Sequence, residues 1–408
     1  MKIGIDARLW NETGVGRYIR NLIEQLLILD KKNNYYFFVL PKDEKNIKSQ
    51  ISKIKNKWKM ENGKWKIVRA DVKWHTIKEQ LEFSKILNRE NLDLMHFPYF
   101  SVPILYNRPF IVTIHDLIID HFPTGQASTL SFPIYNLKLL GYKFIIRQAA
   151  RKAKKIITVS NATKEEVVDH LGVDEDKVVV TYEGVDQEII SSKSQITNKN
   201  LTLRLRSGQE LKIKNYFLYV GNAYPHKNLE RLLKAFNLFC HPELVSGSQL
   251  SRDSDLRQND TKLVLVGKED YFYKRLKEKV KEMGLSDEVI FLQNVSDEEL
   301  SSLYQNALAL IIPSLMEGFG LPALEAMANH CFVLTSDIPA IKEICQDSAI
   351  YFDPYNTENI AEKMEDVCSN GLNQWNKKIE DGFCLSKKFS WEKMARETLK
   401  IYEEVVNL

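Results

Sequence analysis

Short apolar runs alternate with longer amphipathic segments throughout the chain. The runs are rich in β-branched and aromatic residues, and between them apolar residues return at the three- and four-residue spacing of helices. This succession predicts βαβ units with parallel sheets, so the fold class is α/β. We predict strands at 2–6, 35–40, 94–97, 110–115, 156–160 and 178–182 in the first half, and at 216–220, 262–266, 289–292, 308–312, 332–336 and 350–353 in the second.

Two helices are marked by local signals. After Gly14 and Gly16, one buried stripe is formed at helical spacing by Ile19, Leu22, Ile23, Leu26 and Leu27. Ser296 and Glu299 form a capping box, in which each side chain satisfies a free backbone N–H at a helix start. We therefore expect helices to begin at both places.

The length predicts two domains. A chain of 408 residues exceeds what one core usually supports, and its 44% hydrophobic content is enough to build two. Residues 187–214 are polar and lack a hydrophobic period, which is typical of a linker. We predict an N-terminal Rossmann-like domain at 1–186, a C-terminal Rossmann-like domain at 215–386 with an exposed insertion at 241–261, and a C-terminal helix at 387–408 that packs on the N-terminal domain.

Charge and cysteine content narrow the function classes. The 57 basic and 54 acidic residues leave a net charge of only +3, which gives no general attraction to nucleic acid. The five cysteines are widely spaced without a Cys-x-x-Cys pair, as expected of reduced thiols. The N-terminus lacks a signal-peptide pattern, and no run of ~20 apolar residues occurs. We expect a cytoplasmic protein.

The strongest chemical signal is the segment 313–325, Pro-Ser-Leu-Met-Glu-Gly-Phe-Gly-Leu-Pro-Ala-Leu-Glu, directly after a predicted strand. Gly318 and Gly320 permit positive φ, and Pro322 suits the first position of a helix, which would put Glu325 in the first turn. Such a helix start, at the carboxyl end of a parallel strand, suits a diphosphate. Glu325 can then accept hydrogen bonds from a ribose diol, and Glu317 from the hydroxyls of a transferred sugar. A capped turn with solvent-facing acids is the alternative, which the full spacing disfavours.

A second strand, loop and helix start occupies 219–229, Tyr-Val-Gly-Asn-Ala-Tyr-Pro-His-Lys-Asn-Leu. Asn228 is expected as the N-cap. Lys227 precedes it and would offset the charge that builds on a leaving nucleoside diphosphate. On its own, a surface lysine beside a cap would be the better interpretation.

The first half offers weaker signals. His115 and Asp116 follow a buried strand, on the side where open α/β sheets bind ligands. Gly14 and Gly16 lack the third glycine of a dinucleotide fingerprint, because Ile19 stands near its place. A dehydrogenase is therefore disfavoured. No Asp-x-Asp pair follows a strand, so no metal cofactor is expected.

Taken together, these residues resemble glycosyltransferase family 4, whose members have the GT-B fold of two Rossmann-like domains that face a cleft. The resemblance spans nearly the whole chain. Its most specific part is the Glu-x7-Glu element from Glu317 to Glu325, followed by Ala-Met-Ala. Supporting matches lie at Gly14–Gly16, His115-Asp116, 159–163, 184–186 and 225–228.

The resemblance implies roles for individual residues. It places Glu317 on the donor sugar, Glu325 on the ribose, Lys227 on the diphosphate, the Gly16 backbone on the phosphates across the cleft, and His115 near the transferred hexose. It also implies retention of anomeric configuration by front-face attack, with a donor phosphate oxygen taking the acceptor proton. The implied catalytic residues are Glu317, His115 and Lys227, and the implied donor-binding residues are Gly14, Gly16, Asn222, His226, Lys227, Val295, Glu317, Gly318, Phe319, Gly320, Leu321 and Glu325.

The sequence departs from the family pattern at three positions. Asn222 and His226 stand where arginine is frequent, which leaves more of the diphosphate binding to Lys227 and the helix N-termini, with a hydrogen bond from His226. Glu183 replaces a common asparagine before Gly184, and its role is unassigned. The Pro-His-Lys-Asn and Thr-Ile-His-Asp-Leu segments are similar to mannosyltransferases of bacterial surface polysaccharide assembly, which favours GDP-mannose. A UDP-hexose donor, for glucosyl, galactosyl or N-acetylhexosaminyl transfer, stays open, since base choice rests on loops near Val295.

The expected partners are a nucleotide-sugar donor and a glycan or lipid-linked acceptor, without nucleic acid. Residues 42–73 and 137–155 are rich in lysine and arginine, and the second stretch is also partly apolar. They are either solvated helix faces or a surface that rests on anionic lipid at the inner face of the cell membrane. Two other functions are disfavoured: a non-catalytic nucleotide-sugar binding protein by the intact Glu–Lys set, and a GT-B epimerase or phosphorylase by the transferase spacing.

Overall fold

The computed structural model describes residues 1–57, 65–122, 132–185, 201–204, 210–213, 215–241, 261–369 and 371–407. The described chain forms two compact units. The first contains Met1–Asp120, the described residues up to Gly184, and the C-terminal segment from Ser390. The second contains His121 and Phe122 and the described residues from Val185 to Phe389.

The first unit is built on a parallel sheet of seven strands in the order β3-β2-β1-β4-β5-β6-β7. Its strands are β1 (Lys2–Asp6), β2 (Asn34–Val39), β3 (Trp65–Arg69), β4 (Leu94–Phe97), β5 (Phe110–Ile114), β6 (Lys155–Thr158) and β7 (Val178–Val180). Its helices are α1 (Gly14–Leu29), α2 (Glu44–Lys57), α3 (Ser84–Arg89), α4 (Ile118–His121), α5 (Phe132–Lys152) and α6 (Asn161–Leu171), with a π-helical turn at Glu79–Phe83 and 3-10 turns at Pro41–Asp43 and Glu175–Lys177.

The second unit repeats the scheme with six parallel strands in the order β12-β11-β10-β13-β14-β15. These strands are β10 (Asn215–Val220), β11 (Thr261–Val266), β12 (Val289–Leu292), β13 (Ala309–Ile312), β14 (Val333–Ser336) and β15 (Ala349–Phe352). Its helices are α7 (Leu229–Cys240), α8 (Tyr271–Glu282), α9 (Asp297–Asn306), α10 (Leu321–Ala328), α11 (Pro339–Cys345), α12 (Thr357–Ser369) and α13 (Gly371–Ser386), with 3-10 turns at Pro225–Lys227 and Gln346–Ser348.

The final helix, α14 (Trp391–Asn407), belongs to the first unit and packs against α1. The Tyr402 hydroxyl lies 2.7 Å from His96 Nδ1 in the buried layer beneath the sheet. The chain at Gly184 passes so close to the start of α14 that a Cβ there would lie 2.2 Å from the backbone N of Trp391. Only glycine fits this crossing.

The α/β class with two Rossmann-like parallel sheets is confirmed, and so are two local signals. The apolar stripe of α1 is fully buried, and Ser296 and Glu299 form both bonds of the capping box at α9. Strand β3 was missed, because it lies at the sheet edge and keeps Lys66 and Arg69 exposed, which hides its alternation within a lysine-rich stretch.

The segment predicted as a linker contains two short antiparallel strands, β8 (Leu201–Arg204) and β9 (Glu210–Ile213). The rest of the predicted linker falls outside the described residues. Of the predicted insertion 241–261, the described part is His241, which ends α7, and Thr261, which starts β11. The proposed domain boundaries stay a prediction.

Candidate active site

The order of strands in the second unit marks one place on its sheet. The chain winds outward in one direction from β10 through β11 to β12, then returns to pair β13 with β10 and continues the other way. Ligands of open α/β sheets bind at such a switch point, outside the carboxyl ends of the strands. The loop after β10 carries His226 and Lys227, and the loop after β13 carries Ser314 and Glu317.

Lys227 and Glu317 meet at this point. Lys227 Nζ lies 2.7 Å from Glu317 Oε1 and 2.8 Å from Oε2, so the ammonium faces both carboxylate oxygens. The Ser314 hydroxyl donates to Glu317 Oε1 over 2.6 Å. The two charged side chains are only 16% and 12% exposed. The sequence prediction that these residues share one strand-end site therefore agrees with their placement in this unit.

The electrostatics of the pair are set by burial and by mutual attraction. Burial alone would raise the pKa of Glu317, but the Lys227 ammonium and the Ser314 hydroxyl outweigh it and hold that pKa below its ordinary value. His226 responds in the other direction, because burial and then the Lys227 charge lower its pKa to about 4. At neutral pH the site thus holds an ionised carboxylate, an ammonium and a neutral imidazole.

His226 is fixed between the two loops. Its carbonyl accepts from the Leu315 backbone N–H over 2.7 Å, which ties the loop after β10 to the loop after β13. The ring is 6.1 Å from Tyr224 and 6.2 Å from Phe122, centroid to centroid. Nδ1 is buried and has no hydrogen-bond partner among the described residues. Such an atom costs stability until a ligand or water satisfies it.

The turn into α10 depends on Gly320. Its φ of +101° is in the left-handed region, and a Cβ there would lie 2.4 Å from Ile341 Cδ1. Gly318 does not share this conformation, so only the second predicted glycine needs its positive φ. The helix starts at Leu321, with Pro322 as its second residue. Its N-terminus carries partial positive charge toward the loop that holds Glu317.

Glu325 was expected in the first turn of this helix, but it is the fifth helical residue and begins the second turn. Its side chain is buried, and the residue is 4% exposed. Glu325 Oε2 accepts from the Tyr304 hydroxyl of α9 over 2.9 Å. Its role toward a ribose stays a prediction.

Asn228 occupies the predicted N-cap position of α7, but it does not cap the helix with its side chain. Asn228 has a left-handed backbone with φ of +59°, and its side chain makes no cap bond. Its Nδ2 donates instead to the carbonyls of Pro313 and Pro354, at 3.0 and 2.8 Å. Asparagine tolerates this backbone, and its amide joins three loops at the edge of the sheet. It therefore supports the loop that carries Lys227.

The other predicted donor-binding residues of this unit surround the same edge. Asn222 is half-buried after β10, and its carbonyl accepts from the Tyr219 hydroxyl over 2.5 Å. Val295 is half-buried between β12 and α9. Phe319 is 4% exposed and meets Phe389 edge-on, so it packs inside the protein. Gly318, in the loop before α10, is buried, and Leu321, the first residue of α10, is half-buried.

The first unit also has its switch point, between β1 and β4. Gly14 is the first residue of α1, and a Cβ on it would meet nothing within 4 Å. Gly16 is different, since a Cβ there would lie 2.7 Å from the Trp10 carbonyl oxygen and 2.8 Å from that of Leu9. The small residue at 16 is thus required by the fold of the preceding loop, whatever it binds.

His115 follows β5 and is held on both ring nitrogens. Nε2 lies 3.0 Å from the Pro98 carbonyl oxygen, and Nδ1 lies 3.3 Å from Glu183 Oε1. The Tyr18 ring of α1 meets the imidazole edge-on, with centroids 4.9 Å apart. The predicted strand-end position is correct, but the ring nitrogens face protein atoms.

Sequence reasoning assigned no role to three residues that shape these sites: Ser314, Tyr304 and Glu183. Ser314 stands three residues before Glu317, a spacing at which a hydroxyl can reach a carboxylate in a tight turn, so a local signal existed. Tyr304 and Glu183 reach their partners from other elements. No local pattern marks such contacts.

Curated relatives are similar to this chain over most of its length. The O-antigen chain mannosyltransferase RfbU of Salmonella typhimurium is 28% identical over 281 residues, which is 69% of this chain and 66%, just under two thirds, of the relative. The O-antigen chain mannosyltransferase B of Escherichia coli is 25% identical over 321 residues, 76% of this chain and 74% of the relative.

Solved structures share the fold. Anabaena Alr3699/HepE in complex with UDP and glucose matches with a TM-score of 0.70 and 15% identity over 99% of this chain and 100% of the other. WaaG, a glycosyltransferase involved in lipopolysaccharide biosynthesis, matches with a TM-score of 0.65 and 14% identity over 98% and 99% of the two chains. These likenesses support the GT-B fold class.

Family models match both halves of the chain. The model described as Glycosyltransferase Family 4 matches residues 13–189, and the one described as Glycosyl transferases group 1 matches residues 205–402. The first match includes Gly14, Gly16 and His115, and the second includes Lys227 and Glu317. The two matches together leave out only residues 1–12, 190–204 and 403–408, so the chain is a glycosyltransferase with a Family 4 domain followed by a group 1 domain.

Proposed function

We propose that this enzyme transfers a hexosyl group, with mannose favoured, from a nucleotide-diphosphate sugar to a glycan or lipid-linked acceptor in cell-surface polysaccharide synthesis. The observation that carries the proposal is the Lys227–Glu317 pair at the switch point of the second sheet. A cation for the diphosphate and an anion for sugar hydroxyls stand within one hydrogen bond of each other. Front-face attack with retention is the mechanism that this set supports.

In the proposed step the bond between the anomeric carbon and the diphosphate oxygen breaks, and the acceptor hydroxyl oxygen bonds to the same face of that carbon. A non-bridging oxygen of the leaving diphosphate takes the acceptor proton. The protein then has no proton to remove, and its task is to stabilise charge. Lys227 and the N-terminus of α10 would supply that stabilisation at the leaving group.

The pairing of Lys227 with Glu317 also suggests how the donor would enter. Each charge is now satisfied by the other, with exposed fractions of only 16% and 12%. A donor would replace both partners, giving Lys227 a phosphate oxygen and Glu317 the hydroxyls of the hexose. Since the lowered pKa of Glu317 keeps it ionised, it would serve as a hydrogen-bond acceptor toward the sugar.

His226 would add a neutral contact. Its buried Nδ1 lacks a described partner, and the lowered pKa, about 4, keeps the ring uncharged. A neutral imidazole can donate or accept one hydrogen bond at that nitrogen, and a donor phosphate or ribose is a suitable partner. This supports a role for His226 in place of the frequent arginine.

The donor base and sugar are proposed from the relatives. Two mannosyltransferases of O-antigen synthesis are similar to this chain, which favours GDP-mannose. The UDP complex of a structural neighbour at 15% identity keeps UDP-hexoses as the second candidate.

A thermal-shift screen followed by a transfer assay tests the proposal. We expect GDP and GDP-mannose to raise Tm more than UDP and UDP-glucose, because a ligand that binds the native state stabilises it by RT ln(1 + [L]/Kd). Nucleotide release from the stabilising donor in the presence of acceptor should persist in EDTA, since Lys227 takes the place of a metal. A UDP-sugar preference would contradict the mannose assignment, and activity restored only by manganese would contradict the site.

The surface of α5 suggests where the enzyme meets its lipid-linked acceptor. No helix in the described ranges is long and apolar enough to cross a bilayer. Three apolar side chains of α5 are nevertheless exposed at helical spacing: Leu137 by 70%, Leu140 by 65% and Phe144 by 53%. Exposed basic residues lie on the same helix, namely Lys138, Arg147, Arg151 and Lys152. Apolar side chains among basic ones suit the headgroup region of an anionic membrane.

The other basic stretch, 42–73, is less suited to this contact. Its described charges are partly neutralised, because Glu44 pairs with Lys48 and Arg69, and Lys66 pairs with Glu90. We therefore propose α5 as the membrane-facing element.

Vesicle flotation measures this contact. We expect the protein to float with anionic vesicles at low salt, to float poorly with neutral vesicles, and to lose flotation when Leu140→Asp and Phe144→Asp are combined. Tyr355→Asp, at a residue that is 64% exposed in the second unit, is the control and should float like wild type. Equal recovery of all variants on anionic vesicles would count against the proposal.

A further inference from the structure

Glu183 has no role in the chemistry described so far, yet it is buried against His115. Glu183 Oε1 lies 3.3 Å from His115 Nδ1, and the two side chains are 5% and 10% exposed. Glu183 follows strand β7, and His115 follows β5. Pro98, whose carbonyl oxygen contacts the other ring nitrogen of His115, follows β4. Three strand ends therefore fix a single imidazole.

The positions of hydrogen atoms follow from the partners. A backbone carbonyl oxygen only accepts, so Nε2, 3.0 Å from Pro98 O, carries a hydrogen. A neutral ring with its hydrogen on Nε2 would turn the lone pair of Nδ1 toward the Glu183 carboxylate, which is repulsive. A buried carboxylate without a compensating partner is also costly. A second proton on Nδ1 removes both problems.

Of the groups around the imidazole ring, Glu183 is the one that supplies a negative charge to it. The Tyr18 hydroxyl bonds Thr113, and burial keeps the pKa of Tyr18 well above its ordinary value. His96 is also uncharged, because burial and then the nearby His115 lower its pKa to about 3. Asp116 Oδ1 accepts from the Ile118 backbone N–H. Glu183 is then the buried carboxylate that faces the imidazole ring itself.

We propose that Glu183 is a positioning residue for sugar transfer, which holds His115 in one orientation as an imidazolium with both nitrogens occupied. This inference rests on the proposed function. With both ring nitrogens occupied, His115 then acts through a fixed positive charge at the carboxyl ends of the strands of the first unit, the edge at which open α/β sheets bind ligands. The pairing also gives the buried acidic residue beside Gly184 a partner.

A spectroscopic experiment tests the charge without any donor or acceptor. Protein labelled with 15N-histidine is compared by NMR at about pH 7.5, where a free imidazole is mostly neutral. The His115 signals are assigned from their loss in His115→Gln. We expect both ring nitrogens of His115 to show imidazolium shifts in wild type and a neutral Nε2–H tautomer in Glu183→Gln. A neutral His115 in wild type would overturn the proposal.

Kinetics test the positioning role. We expect Glu183→Gln to lower kcat about tenfold, with the donor KM within about twofold of wild type, because an interaction that matters only in the transition state is lost. Glu183→Asp keeps the carboxylate and should recover part of the rate. The control is Glu175→Gln, at a residue whose side chain is 74% exposed, and it should match wild type.

The outcomes separate the two proposals. An unchanged kcat in Glu183→Gln, alongside loss of the imidazolium signal, would refute the positioning role. If Glu183→Gln does not fold, the wild-type spectrum and the rate of Glu183→Asp still decide. Absence of transfer in wild type itself would refute the proposed function and leave the NMR result standing.

Discussion

Glu317→Gln should lower kcat/KM for the donor sugar about 1,000-fold while leaving nucleoside diphosphate binding intact. The substitution keeps the shape of the side chain but removes the charge that faces Lys227 at 2.7 and 2.8 Å. The loss should appear mainly in kcat, because hydrogen bonds to a hexose that gains positive charge strengthen in the transition state. Steady-state kinetics and titration with GDP and UDP measure the two effects separately.

Glu317→Gln should also change the binding of the nucleoside diphosphate. Lys227 loses its anionic partner, so the nucleoside diphosphate no longer competes with a carboxylate for the ammonium. The Kd of the nucleoside diphosphate should therefore stay equal or fall.

The stability of the fold should change as well. Because Lys227 lowers the pKa of Glu317, the pair stabilises the fold at neutral pH, and this contribution is lost as the pH falls through that lowered pKa. The unfolding free energy of Glu317→Gln at neutral pH should be about 1–3 kcal/mol lower than that of wild type.

Glu278→Gln is the matched control, since Glu278 is exposed on α8. It removes one carboxylate far along the chain from either loop and should keep wild-type kinetics. A Glu317→Gln enzyme with more than a tenth of wild-type kcat/KM would show that the carboxylate does not touch the reacting sugar, and the roles proposed for the pair would have to be abandoned.

Local signals in the sequence predicted the parts of the fold that depend on neighbouring residues. The stripe of α1 and the capping box of α9 each lie within a few turns of chain, so periodicity and spacing are sufficient. The same holds for the strand ends that carry Lys227 and Glu317, because parallel strands bring their carboxyl ends to one edge. Proximity of the two residues followed from topology.

Orientation was harder to predict than placement. Whether Glu325 faces a ligand or the interior depends on where α10 begins, and a helix that starts at Leu321 carries it to Tyr304. A shift of one residue rotates a side chain by about 100°. The backbone of Asn228 was likewise set by carbonyls of two other loops. These contacts join distant parts of the chain, and no pattern within either segment specifies them.

Which side chains at the strand ends contact each other could not be predicted from the sequence. Glu183 and His115 follow β7 and β5, with β6 between those strands in the sheet. The side chains meet across it because both extend past the strand ends. A sequence pattern predicts the strands and their order of appearance, but the packing of the loops above them fixes which side chains meet.

Lys227→Met should lower kcat/KM by about 100- to 1,000-fold, through weaker donor binding and slower turnover, and should remove the thermal stabilisation by GDP or UDP. Methionine keeps most of the aliphatic length but removes the ammonium that would meet the diphosphate. Glu317 is then left as a buried anion without its cation, which further repels a diphosphate. Kinetics, with Tm measured with and without nucleotide, give the two readouts.

Two further variants sharpen this expectation. Lys234→Met, at an exposed lysine of α7, removes the same charge from the same unit and should leave kinetics and nucleotide stabilisation unchanged. Lys227→Arg keeps the charge but not the compact ammonium that sits between both oxygens of Glu317, so it should recover binding more than turnover. Persistent stabilisation of Lys227→Met by a nucleoside diphosphate would mean that helix N-termini and His226 hold the phosphates without Lys227, and the role assigned to its charge would be wrong.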